Sequence, residues 1–121
     1  MEYLALVYGD PTSWDEMSET DKAAAYEGYM VVARDAEATG VLVDASELES
    51  TAAATSVRVR SGEAIVTDGP YAEVKESLGG YYLLSCESEE EAVAWAAKIP
   101  AAWHGGAIEL RPVNVEEEEA A

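Results

Sequence analysis

The chain has no phenylalanine, one cysteine, one histidine, and only 7 lysines and arginines among 121 residues. Each shortage excludes something. With Cys86 as the sole thiol no intrachain disulfide can form, and a lone cysteine fits a reducing compartment, where it packs as a small hydrophobe. One Cys and one His cannot supply the four ligands of a structural zinc site. Glycine-rich phosphate loops of standard spacing are missing, as is Gly-x-Ser-x-Gly. No zinc, haem or nucleotide cofactor is therefore expected. The 25 Asp and Glu residues leave a formal charge of −18. Such a surface repels phosphate backbones, which bind proteins largely through Lys and Arg, so nucleic acid is excluded as the main partner. No apolar run nears the ~20 residues that cross a bilayer. The opening Met1-Glu2-Tyr3-Leu4 lacks the basic, apolar, small-residue order of an export signal, and a soluble cytoplasmic protein without a membrane partner is expected.

What is present suffices for one core. A chain of this length removes roughly 65% of its unfolded surface from water. Aliphatic residues, seven Tyr and three Trp supply that core. Residues 1–115 read as a single domain, and residues 116–121, beginning with Glu116 to Glu119, read as a solvated, dispensable acidic tail. The acidity of the rest fits a salt-rich cytoplasm or simply a generous solvated face.

Residues 3–8, Tyr-Leu-Ala-Leu-Val-Tyr, are apolar on both alternating faces, the pattern of a central strand. Gly9-Asp10-Pro11 breaks it, and Ser13-Trp14-Asp15-Glu16 has capping-box spacing over a short helical turn. Over residues 21–39 the apolar positions Tyr26, Met30, Ala33 and Ala36 recur at helical spacing, with Tyr29 beside them and Gly40 placed to stop the helix. Val41-Leu42-Val43 is a short strand, and the polar residues 44–55 show no pattern. Val57-Arg58-Val59-Arg60, Ser61-Gly62 and Glu63-Ala64-Ile65-Val66-Thr67 form a hairpin signature that predicts Val57 and Val59 inward. Residues 78–86 make a second strand apolar on both faces. Ser88-Glu89-Glu90-Glu91 opens a helix with a capping box, Ala92, Trp95, Ala96 and Ile99 form its buried stripe, and Pro100 ends it. Residues 108–111 alternate as a last strand. The order predicts an α+β, ferredoxin-like antiparallel sheet with two helices on one face and an inserted β-hairpin. Two strands apolar on both sides need cover on the second face, and a second copy of the sheet would give it, so a homodimer is expected.

The segment Asp68-Gly69-Pro70-Tyr71-Ala72-Glu73-Val74-Lys75-Glu76-Ser77-Leu78-Gly79-Gly80-Tyr81-Tyr82 resembles the signature of the DGPF (YCII-related) family, in which Phe is commoner at the position of Tyr71. The likeness extends through Tyr3-Leu4 to Tyr8-Gly9, Thr55 to Val59, Ala94 to Pro100 and Glu109 to Val113. It implies a dimeric α/β barrel fold and says little about activity. Related YCII proteins carry a proposed His and Asp acid-base pair with the His early in the first long helix. Ala23-Ala24-Ala25-Tyr26-Glu27-Gly28-Tyr29 has no histidine there, so the pair does not carry over. The resemblance also suggests a link to an extracytoplasmic-function sigma factor.

Candidate chemistry is sparse. Asp68-Gly69-Pro70 is turn chemistry first, and Asp68 is also a candidate general base or ligand-orienting group with Lys75 nearby. His104 has the side chain best suited to proton transfer near neutral pH, although it sits on a Gly-flanked loop without a companion in sequence. Tyr8, Tyr29 and Tyr71 are candidate ligand-binding phenols, with core packing as their ordinary role. Two functions follow from these residues: a small-molecule enzyme or binder with a cleft in each subunit, or a non-catalytic regulatory protein whose acidic surface meets a basic partner.

Overall fold

The computed structural model of the protein describes residues 1–71 and 77–114. Lys75 and the acidic tail from Glu116 lie outside the described residues. In chain order the elements are β1 (Glu2–Gly9), α1 (Pro11–Glu16), α2 (Glu19–Ala38), β2 (Leu42–Glu47), β3 (Thr55–Arg60), β4 (Glu63–Asp68), β5 (Ser77–Ser85), α3 (Glu89–Ala96) and β6 (Ala107–Pro112). Short 3₁₀ turns occupy Thr51–Ala53 and Pro100–Ala102.

The two strands with apolar residues on both faces become the two inner strands. The main sheet has the order β2-β5-β1-β6, and β1 runs antiparallel to both of its neighbours. Tyr3, Ala5 and Val7 of β1 are buried in one cluster with Tyr82 and Leu84 of β5, Val32 and Ala36 of α2, and Ala92 and Trp95 of α3. Leu4 and Leu6, paired with Leu83 and Tyr81, point the other way because the side-chain period of a strand is two. That second face is half-buried and carries the Arg111 to Glu109 pair at 2.6 Å and the Tyr81 hydroxyl donating to Asp44 at 2.9 Å. This is the α+β ferredoxin-like arrangement expected from the sequence.

The inserted hairpin behaves differently. Ser61 and Gly62 take φ of 50° and 80°, the primed two-residue turn that matches strand twist. However, β3 and β4 form a separate two-stranded sheet. Val57 and Val59 are therefore 61% and 67% exposed rather than inward, since among the described residues no helix or third strand covers their face.

Helix boundaries also shift. Asp10, not Ser13, caps α1 by accepting from the Thr12 amide at 2.9 Å, and Pro11, which ends β1, fills the first helical position where its missing N–H costs nothing. Ser18 caps α2, so that helix starts before Asp21. Ser88 caps α3 as its spacing predicts, while Glu91 reaches back to the Glu87 amide at 2.7 Å. The buried stripe of α3 holds, with Ile99 fully enclosed beyond the helix end. In α2 the stripe divides: Ala36 is buried, but Tyr26 and Met30 are 53% and 65% exposed. β2 extends past Val43 into polar residues that carry no apolar alternation.

One close approach locks α2 to the opposite loop. A Cβ added at Gly28 would meet the Pro100 ring at 2.8 Å. Alanine normally improves a helix interior by about 1 kcal/mol over glycine. Here overpacking, typically about 1–3 kcal/mol, outweighs that gain because a prolyl ring cannot swing aside. Gly28→Ala should lower the melting temperature, and an unchanged or raised value in calorimetry would show that the contact relaxes freely.

Candidate functional site

Between α2 and the sheet lies a cleft of about 640 Å³. Its origin is a mismatch of side-chain size. The roof is the upper part of the α2 stripe, Tyr26, Tyr29, Met30 and Ala33, which recurs at one-turn spacing and so shares a helix face. The floor is made of Gly79, Gly80, Ala45 and Ser46, together with Val7 and Tyr82. These small residues leave the large side chains above without counterparts. The floor also has a structural reason to be small, because a Cβ at Gly80 would approach the Ser46 carbonyl to 2.8 Å. The register slip between Val7 and Tyr8 leaves Gly79 of β5 without a partner on β1, a bulge at the cleft edge, while its carbonyl accepts from the Leu48 amide at 2.8 Å.

Helix α1 supplies one end wall. Trp14 packs edge to face against Tyr26 with ring centroids 5.3 Å apart and planes at 86°. Asp15 beside it and Glu47 at the end of β2 are carboxylates on the lining. Among the described residues lining the cleft there is no Lys, Arg, His or Cys. The Tyr82 hydroxyl donates to the Tyr29 carbonyl at 3.2 Å. Burial pushes the Tyr82 phenol up to about 12, with Tyr29 adding to the shift. Burial also raises Tyr29; the Ala101 backbone acts against this and nearby Glu47 reinforces it. Both phenols stay protonated at neutral pH and present hydroxyls, not phenolates.

Of the candidates read from the sequence, Tyr29 lines this cleft. Tyr8 lies on the far face of the sheet, opposite Leu78 and Ala107. Asp68 is exposed at the end of β4, paired in register with Thr55. The turn after it is held by the Gly69 amide donating to Ala54 at 2.7 Å and by Ser56 donating to the Gly69 carbonyl at 2.7 Å. Gly69 has φ of 102°, which favours glycine. Tyr71 is 76% exposed and accepts from Arg58 at 3.2 Å, with the guanidinium over its ring. His104 is exposed and tilted against Trp103 at 4.4 Å between centroids. Asp68, Tyr71 and His104 do not converge on the cleft, and Lys75 is outside the described residues. Sequence reasoning missed Trp14, Asp15, Glu47 and the Gly79-Gly80 floor. Tyr26 and Met30 carried the signal, since their stripe is wider than the core facing it. The buried Cys86 thiol is raised by burial and by Glu91, and plays no part here.

The YCII-related domain family matches residues 1–117. The chain belongs to this family. An uncharacterized protein of Rhizobium meliloti (strain 1021) is 35% identical to this YCII-related chain over 114 residues, 93% of the chain and 92% of the relative. Among solved structures it is similar to 5-chloro-2-hydroxyhydroquinone dehydrochlorinase from Burkholderia phenoliruptrix AC1100, in complex with 2,5-dihydroxybenzoquinone. The TM-score is 0.55, the identity 13%, and 94% of each chain is covered. At that identity the likeness of this YCII-related protein to the enzyme is one of fold. No helix among the described residues is long and apolar enough to cross a membrane.

A phenol whose folded pKa exceeds its unfolded value stabilises the fold fully below the unfolded pKa of about 10 and loses that contribution as pH rises through the folded value. Stability should therefore fall between about pH 10 and 12 as Tyr82 ionises. Tyr82→Phe should remove the last phenolate step in an absorbance titration and cost about 0.5–1.5 kcal/mol at neutral pH. An unaltered titration would place the most alkaline phenol elsewhere.

Proposed function

We propose that the protein binds a small ring-bearing molecule in the cleft between α2 and the sheet. The observation that carries this reading is the 640 Å³ space between a roof of large aromatics and a floor of Gly, Ala and Ser, within the size range of small-molecule sites. Flat walls accept a ring, and the hydroxyls of Tyr29 and Tyr82 with the Glu47 carboxylate offer polar points that orient it. The dehydrochlorinase of the same fold, solved with a quinone, supports a ring-sized occupant. Binding is favoured over turnover because general acid-base efficiency is best when the working pKa lies near the operating pH, and Tyr82 has moved further from it.

A thermal-shift screen of ring-bearing compounds tests the reading. A ligand at about 100 times its dissociation constant stabilises by ~2.7 kcal/mol. Tyr26→Ala removes a wall that is already half exposed and should weaken any hit by several-fold, about 0.5–1.5 kcal/mol for one aromatic contact. A library without a single hit, or hits indifferent to Tyr26→Ala, would overturn the assignment of the site.

The working unit in this proposal is a homodimer joined through Leu4, Leu6, Tyr81 and Leu83 on the second sheet face. Light scattering at micromolar concentration should give twice the chain mass, and a monomer would refute it. The regulatory alternative, including a sigma-factor link, has one feature in its favour. Val57, Val59 and Val66 make an exposed apolar stripe on the hairpin, the kind of patch that marks a protein contact. A blank ligand screen together with a hairpin left free in the dimer would move the balance to that reading.

A further inference from the structure

Resting on the cleft reading above, we infer that the cleft selects ligands carrying a positive charge: a ring-bearing amine in preference to its neutral or anionic analogue. The lining has two carboxylates, Asp15 at the α1 end and Glu47 at the β2 end, and no cation among the described residues. The cations of α2, Lys22 and Arg34, are not part of the lining, and Lys22 pairs with Glu19 at 3.7 Å.

The aromatic residues act in the same direction as the acids. An ammonium over a Trp or Tyr face is attracted by the ring quadrupole, more strongly when desolvated. Trp14 and Tyr26, both on the lining, pack edge to face at 86° at one corner of the cleft. The Lys22 ammonium lies 6.0 Å from the Trp14 ring centroid, a positive charge at this corner that Glu19 offsets and that the two lining carboxylates outnumber. Tyr29 and Tyr82, with raised pKa values, remain uncharged phenols at neutral pH and leave the charge of the lining to the two carboxylates. Beyond contact range, the formal charge of −18 raises the local concentration of cations and depresses that of anions. For an anion the carboxylate, ring and net-charge terms reverse, and the lining itself has no described Lys or Arg to compensate.

Isothermal titration of the full chain at neutral pH with tyramine, 4-ethylphenol and 3-(4-hydroxyphenyl)propionate separates charge from ring, since all carry the same phenol on a short chain. Tyramine should bind about tenfold more tightly than 4-ethylphenol through two solvent-screened carboxylates, and the propionate should bind weakest. The advantage of tyramine should shrink in higher salt and fall to about twofold in the Asp15→Asn, Glu47→Gln double variant, whose substitutions are both at exposed positions. Tyramine no tighter than 4-ethylphenol, or a preference unchanged in the double variant, overturns the inference while leaving the ring site intact. If none of the three binds, the charge of the hits in the thermal-shift library decides: neutral or anionic hits alone overturn the charge preference. A library with no hits removes the cleft reading and this inference with it.

Discussion

Everything in this molecule is arranged around the pairing of β1 with β5. Each strand is apolar on both of its faces, so neither can lie at an edge or face water without cost. Placing them side by side in the middle of the sheet buries one face under α2 and α3 and concentrates the other face, Leu4, Leu6, Tyr81 and Leu83, into one surface. β2 and β6 then become the edges, and their sequences show it through polar residues such as Asp44, Ser46 and Glu109. The same pairing fixes the cleft. The Gly79-Gly80 segment that lets β5 start beside β1 is also the floor that leaves Tyr26 and Tyr29 unfilled beneath.

Much of this was legible in the residues and some of it could not be. Two-sided apolarity identified the inner strands, Ser88 and its acids marked the start of α3, and the order of elements identified the fold. Strand and helix periodicity report what a segment can bury, and that rule fails where the partner surface is missing. Val57 and Val59 alternate as a buried strand would, yet no described element covers the hairpin that carries them, so they are exposed. Tyr26 and Met30 keep helical spacing with Ala36, yet glycines lie opposite them. In both cases the sequence describes one side of a contact whose other side is set by tertiary placement.

The site was harder to read than the fold because its determinants are ordinary. Asp68 and His104 drew notice as chemically capable side chains, but capability without convergence makes no site. Trp14, Asp15 and Glu47 drew none because each, taken singly, is a surface residue on a short helix or a strand end. Only the meeting of α1, α2 and β2 over small residues gives them a common space. The absence of a histidine at the family position in the first long helix fits the same picture, a familiar frame whose cleft is furnished with phenols and carboxylates.

The contact between Gly28 and Pro100 touches this cleft at both ends, since Tyr29 follows one residue and Ala101 the other, and both are on the lining. Backbone against a rigid ring has little play, so at this point the roof helix is pinned to the Pro100–Ala102 turn, and the positions of Tyr29 and Ala101 are set together. A wall fixed before a guest arrives costs association less conformational entropy than one that must first be ordered.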